Sequence, residues 1–338
     1  MKKICLLLLS IFLLTGCSIF KSDAMEDIDV YTTTYPISYL IRYLYEDHSK
    51  IYSIYPNGVN FKDYTLSDKK LTEFAKGSLF VFNSQDIDRN YAVKMINKNK
   101  NLYLIDTSLG MNYNYSIEEL WLNPYNYLMM AKNITTSLKE NISNPYLISN
   151  KEKTGIEDKY EVLKYELSKL DALYKDTLKN AKYNTIVADN ELFKFLEKYN
   201  IEVITLEEQI INITIKDDKT LSEISNEYNV SISDILTYNN KNTGSIKVGE
   251  TLKIPVKTIE QSDVNLVKKL IHEGKIKYIY SANKESNNTV KNLIKDDNLE
   301  LLTINDMYSI DGGVTNTNET YLTIMNDNLE LFKKELYK

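Results

Sequence analysis

From Ile28 onward, segments of strand character alternate with segments of helical spacing, and this alternation limits the fold more than any other property of the chain. Asp29-Val30-Tyr31-Thr32-Thr33 is β-rich, Pro36 to Tyr45 has helical spacing, and Lys50 to Tyr55 is strand-like again before the turn Pro56-Asn57-Gly58. A helix over Ser67 to Lys76 feeds the strand Ser78 to Phe82. A second passage of the same kind starts at Thr185-Ile186-Val187-Ala188 and runs to the C-terminus. Strand and helix in turn imply parallel sheets covered on both faces. Between the two passages, Thr154 to Lys182 spaces Ile156, Tyr160, Leu163, Leu167, Leu170, Tyr174 and Leu178 three or four apart. This predicts one amphipathic helix of roughly 40 Å at about 1.5 Å per residue. The expected fold class is α/β: an N-terminal lobe over 28–153, a linking helix over 154–182, and a second lobe over 183–210 and 257–338.

Ahead of the fold, Lys2 and Lys3 precede an apolar run from Cys5 to Leu14, shorter than the ~18 residues a bilayer-spanning helix needs. The run ends in Leu14-Thr15-Gly16-Cys17. These four residues resemble the lipobox of bacterial lipoprotein signals. The resemblance implies removal of residues 1–16, diacylglyceryl transfer to the Cys17 sulfur, and a protein held on the extracytoplasmic face of a membrane, since two acyl chains anchor where one is marginal. Residues 17–27 then form a short tether.

The chain has only two cysteines; Cys5 leaves with the signal and Cys17 takes the lipid, so the folded part holds no thiol. Disulfides, zinc–cysteine clusters and cysteine nucleophiles are excluded. A net charge of −6 without a concentrated basic face argues against nucleic acid as a partner. No His-Glu-x-x-His cluster is present either, and the chain reads as a non-enzyme and a monomer.

The segment 211–256 interrupts the second passage. Ile211-Asn212-Ile213-Thr214-Ile215 alternates as a strand, Leu221, Ile224 and Tyr228 share one helical face, a second helix covers Ser233 to Tyr238, and Lys247-Val248-Gly249-Glu250 turns into a strand from Thr251 to Ile254. Such a βααβ unit of about 45 residues is easily inserted in a host loop. The segment resembles the LysM family: Asp218-Lys219-Thr220-Leu221 stands where LysM has Gly-Asp-Thr-Leu, and Tyr228-Asn229-Val230-Ser231 matches the step between helices. Val248-Gly249-Glu250-Thr251-Leu252-Lys253-Ile254-Pro255 matches the closing strand. The resemblance implies contact with peptidoglycan or a chitin-like glycan through two loops that hold Asp217, Asp218, Lys219 and Thr220, and Asn239, Asn240 and Asn242. Lys219 departs from the family pattern.

With the insert set aside, Tyr31-Thr32-Thr33-Thr34-Tyr35-Pro36, the loop Ser53-Ile54-Tyr55-Pro56-Asn57-Gly58-Val59-Asn60, Glu119-Leu120-Trp121-Leu122-Asn123-Pro124 and Tyr321-Leu322-Thr323-Ile324-Met325 fall into one order. The host resembles the substrate-binding lipoproteins of zinc and manganese ABC transporters, the cluster A-I family of zinc-uptake proteins and lipoprotein receptor antigens. The resemblance implies two α/β lobes with a ligand cleft between them and an ABC permease as partner. It also implies a metal held by histidines and carboxylates, a donor set that suits a four-coordinate transition metal. At the matching positions stand Lys62, Glu119, Asn190 and Asn305, with Ala282 at a fifth, and none is an imidazole. The histidines of this chain, His48 and His272, fall elsewhere. Two expectations follow. In one, the Lys62 ammonium takes the place of the metal, paired with Glu119 and bonded by the amides. In the other, Glu119, Asn190 and Asn305, joined by Asp63, Asp189 or Asp306, hold a harder divalent cation such as manganese or calcium. For the whole chain the readings are a binding lipoprotein of altered specificity, or a wall-associated surface or adhesion protein with a vestigial cleft whose LysM insert makes the useful contact.

Overall fold

The computed structural model describes residues 28–45, 49–56, 59, 64–85, 87–144, 146–216, 219–282, 286–308 and 319–338. The signal, the tether and Cys17 lie outside them. The chain divides into two compact units.

Unit 1 comprises Met1–Tyr113, Leu120–Asp171 and Met307–Thr323. Its sheet contains β1 (Asp29–Thr32), β2 (Lys50–Ser53), β3 (Leu79–Phe82) and β4 (Tyr103–Asp106), all parallel, in the order β2-β1-β3-β4. Helices α1 (Tyr35–Tyr45), α2 (Asp68–Phe74) and α3 (Asp88–Lys98) make the crossovers that parallel pairing requires. All four residues of β3 are buried, as expected of a strand covered on both faces. Helix α2 starts where Ser67 accepts a hydrogen bond from the Lys70 N–H, which satisfies one of its open donors. Gly77, before β3, is fixed by a close approach: a Cβ there would lie 2.6 Å from the Tyr31 ring, which packs on Phe74 at 4.9 Å. After α4 (Glu119–Leu122), Pro124 opens α5 (Pro124–Thr136), where its missing N–H costs nothing. Trp121, Tyr127 and Tyr321 are buried together; the Tyr127 and Tyr321 rings stack at 3.8 Å, and the Tyr321 hydroxyl donates to the Trp121 carbonyl at 2.6 Å.

The long helix α6 runs Asn150–Lys179, beginning four residues before the expected Thr154. It buries Ile156, Leu163, Leu167, Leu170, Tyr174 and Leu178, as the periodicity predicts, leaves Tyr160 half-buried, and exposes Val162 and Tyr165. The division between units falls inside it, after Asp171.

Unit 2 comprises Asn114–Glu119, Ala172–Asp306 and Ile324–Lys338. Strands β5 (Thr185–Ala188), β6 (Glu202–Thr205), β9 (Tyr278–Ser281) and β10 (Glu300–Thr303) form a second parallel sheet in the order β10-β9-β5-β6. A 3-10 helix (Glu191–Tyr199) joins β5 to β6. Between β6 and β9 the chain first builds β7 (Gln209–Thr214), α7 (Leu221–Tyr228), α8 (Ile232–Tyr238) and β8 (Thr251–Lys257), then continues into α9 (Gln261–His272). Strands β7 and β8 pair antiparallel, with Gln209 opposite Lys257. This inserted unit has a core of its own: Ile215, Leu221, Ile224, Val230, Ile235, Leu252 and Ile254. The host core gathers Val187, Val267, Ile279 and Val290 around the second sheet, with α10 (Asn288–Asp297) packed on it. The last helix, α11 (Tyr321–Leu336), ends with Glu335 fully buried, its carboxylate accepting the Lys277 and Tyr278 N–H groups at 3.0 and 2.9 Å. Among the described residues no helix is long and apolar enough to cross a membrane.

Candidate functional site

In each parallel sheet the crossovers run outward from one strand in both directions, so the order reverses beside β1 in unit 1 and beside β5 in unit 2. Ligands of open α/β sheets collect at the carboxyl ends of the strands at such points. In unit 2 that end is formed by Asp189 and Asn190 after β5, Ser281 at the end of β9, and Asn305 after β10.

The Asp189 carboxylate accepts the Ser286 hydroxyl at 2.9 Å and the Ser281 hydroxyl. Burial pushes its pKa above the usual Asp value, and the two serines offset part of that rise. Beside it Asn287 donates to the Leu206 carbonyl at 2.6 Å and ties the loop after β9 to the end of β6. Neither serine was singled out by the sequence.

Asn190 is the N-cap of the 3-10 helix, its side-chain oxygen accepting the Leu192 N–H at 2.8 Å. At Asn305 the N–H donates to the Asn328 side chain at 2.9 Å and the carbonyl accepts from it at 2.8 Å. Glu119, 6 % exposed, accepts the backbone N–H groups of Tyr115 at 2.7 Å, Asn114 at 3.3 Å and Ser116 at 3.4 Å. Its charge therefore organises the turn on which it stands. Lys62 lies outside the described residues, as do Asp63 and His48, so the expected Lys62–Glu119 pair has no described geometry. His272 closes α9. Among the described residues no group of three or more His, Cys, Asp or Glu could hold a metal ion.

A chain of contacts links the Glu119 turn to the insert. The Tyr115 hydroxyl donates to Glu197 at 2.7 Å, and the Lys194 ammonium stands 4.7 Å from the Tyr115 ring centre. Lys194 faces Glu191 at 3.8 Å, and Lys257, the last residue of β8, bridges Glu191 and Glu207 at 2.7 Å each. Burial alone would lower the Lys257 pKa, but the two carboxylates outweigh it and hold it above the usual lysine value. The Tyr238 hydroxyl of α8 also donates to Glu208. The insert is thus pinned to the carboxyl end of the second sheet.

Within the insert, Thr220 caps α7 in a reciprocal capping box with Glu223, and Lys219 pairs with Glu227 at 2.9 Å. Asp217 and Asp218 lie outside the described residues. Asn239 donates to the Ile235 and Lys253 carbonyls at 2.8 and 2.7 Å and accepts the Lys253 N–H at 2.8 Å, so its amide fastens α8 to β8. Asn240, with φ of 52°, and Asn242 are exposed on the loop that follows. A shallow pocket of about 340 Å³ opens between β7 and α7, lined by Ile213, Ile215, Lys219, Ile224, Glu227 and Tyr228 among others; the three asparagines do not line it.

The fold is shared with solved structures. The Zn(II)-bound ZnuA-like domain of Streptococcus pneumoniae AdcA superposes with a TM-score of 0.64 at 16 % identity, over 92 % of this chain and 100 % of that one. The metal-dependent lipoprotein YcdH of Bacillus subtilis gives 0.64 at 17 % identity over 91 % and 99 %. The laminin-binding protein Lbp of Streptococcus pyogenes gives 0.61 at 15 % over 92 % and 100 %. No curated protein sequence matches this one. The family model described as zinc-uptake complex component A, periplasmic, matches residues 30–248, more than half of the chain. With two parallel α/β sheets, a long helix shared between the units and this match, the chain belongs to the ZnuA family.

Proposed function

We propose that the chain is a lipid-anchored, extracytoplasmic solute-binding component of an ABC importer whose ligand positions have departed from zinc. The observation that carries this reading is the use made of those positions: Glu119 is engaged by three backbone N–H groups, Asn190 caps a helix, and the Asn305 backbone is locked to Asn328. Zinc favours imidazole nitrogen and thiolate sulfur, and neutral amides are poor substitutes. Lys62 would add an ammonium with no lone pair to offer. The residues do no catalysis in this reading; they receive a solute and present it to a permease. Equilibrium dialysis of the purified chain against zinc, manganese and calcium tests it. The expected result is no stoichiometric zinc at micromolar concentration, and one transition-metal ion bound per chain would overturn it.

The insert supports a second contact. It is a βααβ unit with its own core and a pocket between β7 and α7, and the LysM resemblance makes N-acetylglucosamine-containing wall glycan its ligand. Lipid at one end and glycan at the other would raise effective concentration at the wall. This supports the alternative of a surface protein with a vestigial cleft; two of the structural neighbours are named as laminin-binding proteins. Co-sedimentation with insoluble peptidoglycan is expected, and its absence would remove the glycan role.

A further inference from the structure

Unit 1 has its own strand-order reversal, at the carboxyl end of β1, and three consecutive threonines occupy it. Only the first is paired: the Thr32 and Ser38 hydroxyls share a hydrogen bond of 2.5 Å. The hydroxyls of Thr33 and Thr34, residues 1 % and 6 % exposed, have no hydrogen-bond partner. The Thr33 backbone is accounted for, its carbonyl accepting the Ser53 hydroxyl at 2.8 Å; its side chain is not.

Thr34 is the N-cap of α1, because its carbonyl accepts the Ser38 N–H at 3.0 Å. A capping hydroxyl ordinarily accepts from the second or third helical N–H. Here the second residue is Pro36, which has none, and the hydroxyl is left unpaired. The Tyr35 and Ile37 N–H groups have no partner within the helix, and both residues are buried. The end of α1 therefore joins two unspent hydroxyls to outward-directed N–H groups and the positive end of an 11-residue helix. The carboxylate that acts on this turn is Glu319, whose charge is felt at the Tyr35 hydroxyl; Asp106 accepts from Ser84 and Ser108, and Asp88 from the Tyr55 hydroxyl.

We propose that unit 1 binds a compact oxyanion, of the phosphate or sulfate class, at Thr33, Thr34 and the first turn of α1. Backbone N–H groups only donate, so the ligand must present acceptors on several sides, and a helix N-terminus favours negative charge. The inference rests on reading the chain as a solute-binding protein and names an anion as its solute.

The test is calorimetric unfolding of the full chain in sodium phosphate, sodium sulfate and sodium acetate against sodium chloride at equal ionic strength, without divalent metal. Phosphate or sulfate should raise Tm saturably, acetate less. The double variant Thr33→Val, Thr34→Val should bind at least tenfold more weakly, while Thr34→Ser keeps the response. Valine removes hydroxyls that pair with nothing, so the double variant should fold as stably as the parent in chloride, and a lost response then means a lost site. Oxyanions no better than chloride, or an unchanged response in the double variant, would overturn the proposal. Neither outcome bears on the zinc dialysis, so the two readings fail separately.

Discussion

The Asn328 side chain and the Asn305 backbone bond each other in both directions, N–H to Oδ1 at 2.9 Å and Nδ2 to the carbonyl at 2.8 Å. One amide from α11 thereby does for the loop after β10 what a neighbouring strand would do. Asn328→Ala strips both partners from a buried site, and unmet backbone groups cost about 1–3 kcal/mol each. Urea unfolding should show a loss of about 2 kcal/mol or more, and a variant within about 0.5 kcal/mol of the parent would mean that water replaces the amide at no cost.

Lys257 is expected to matter most below strongly alkaline pH. Its pKa is raised in the fold, so its contribution is full below the usual lysine value and is lost as pH rises through the higher folded value. Lys257→Met should cost about 1 kcal/mol at pH 7, the scale of partly exposed ion pairs. The difference from the parent should shrink in alkali, measured by urea unfolding across the pH range. A difference that stays constant with pH would assign the loss to packing alone.

Glu223 gives the opposite sign. The Thr220 N–H, then the Thr220 hydroxyl, hold its carboxyl below the usual range. Its contribution is therefore present above the usual carboxylate pKa and disappears as pH falls through the depressed folded value. Glu223→Gln should flatten the acid limb of the insert's unfolding, followed by exchange protection over α7. Thr220→Ala should cost about 1 kcal/mol at neutral pH through loss of the cap.

Ile224 is fully buried in the insert core. Ile224→Ala should cost about 2–5 kcal/mol. Hydrogen exchange should then rise first over α7 and α8 and leave the β5 and β9 amides protected, since the host core is made of other residues. Equal loss in both regions would show that insert and host melt as one body.

The parallel sheets, the long helix and the strand–helix–helix–strand order over 209–257 were legible because each depends on short-range pattern. Periodicity gave Leu163 through Leu178 as a buried face, and Thr220, Ser231 and Asn229 punctuate the insert helices as caps, Asn229 with φ of 53°. What escaped the sequence depends on chain reversals. Ser286 reaches Asp189 and Tyr115 reaches Glu197 only after the sheet has brought distant loops together. The exchange of Asn114–Glu119 into unit 2 has no local signal at all. At Glu119 the residue type was readable but its local use was not: the expectation was a pair with Lys62 or a place in an oxygen cluster, and its carboxylate is found accepting the backbone N–H groups of Asn114, Tyr115 and Ser116.

Because Gln209 faces Lys257, the inserted module leaves and re-enters its host at one neck. The neck is irregular, with a bulge between Gln209 and Ile210 and with Ile210 opposite Pro255, which has no N–H to give. A pull on the module away from its host would therefore open the two strands one rung at a time, beginning at this weak base. The ammonium of Lys257, gripping two host carboxylates there, is the rivet that such a peel has to break first.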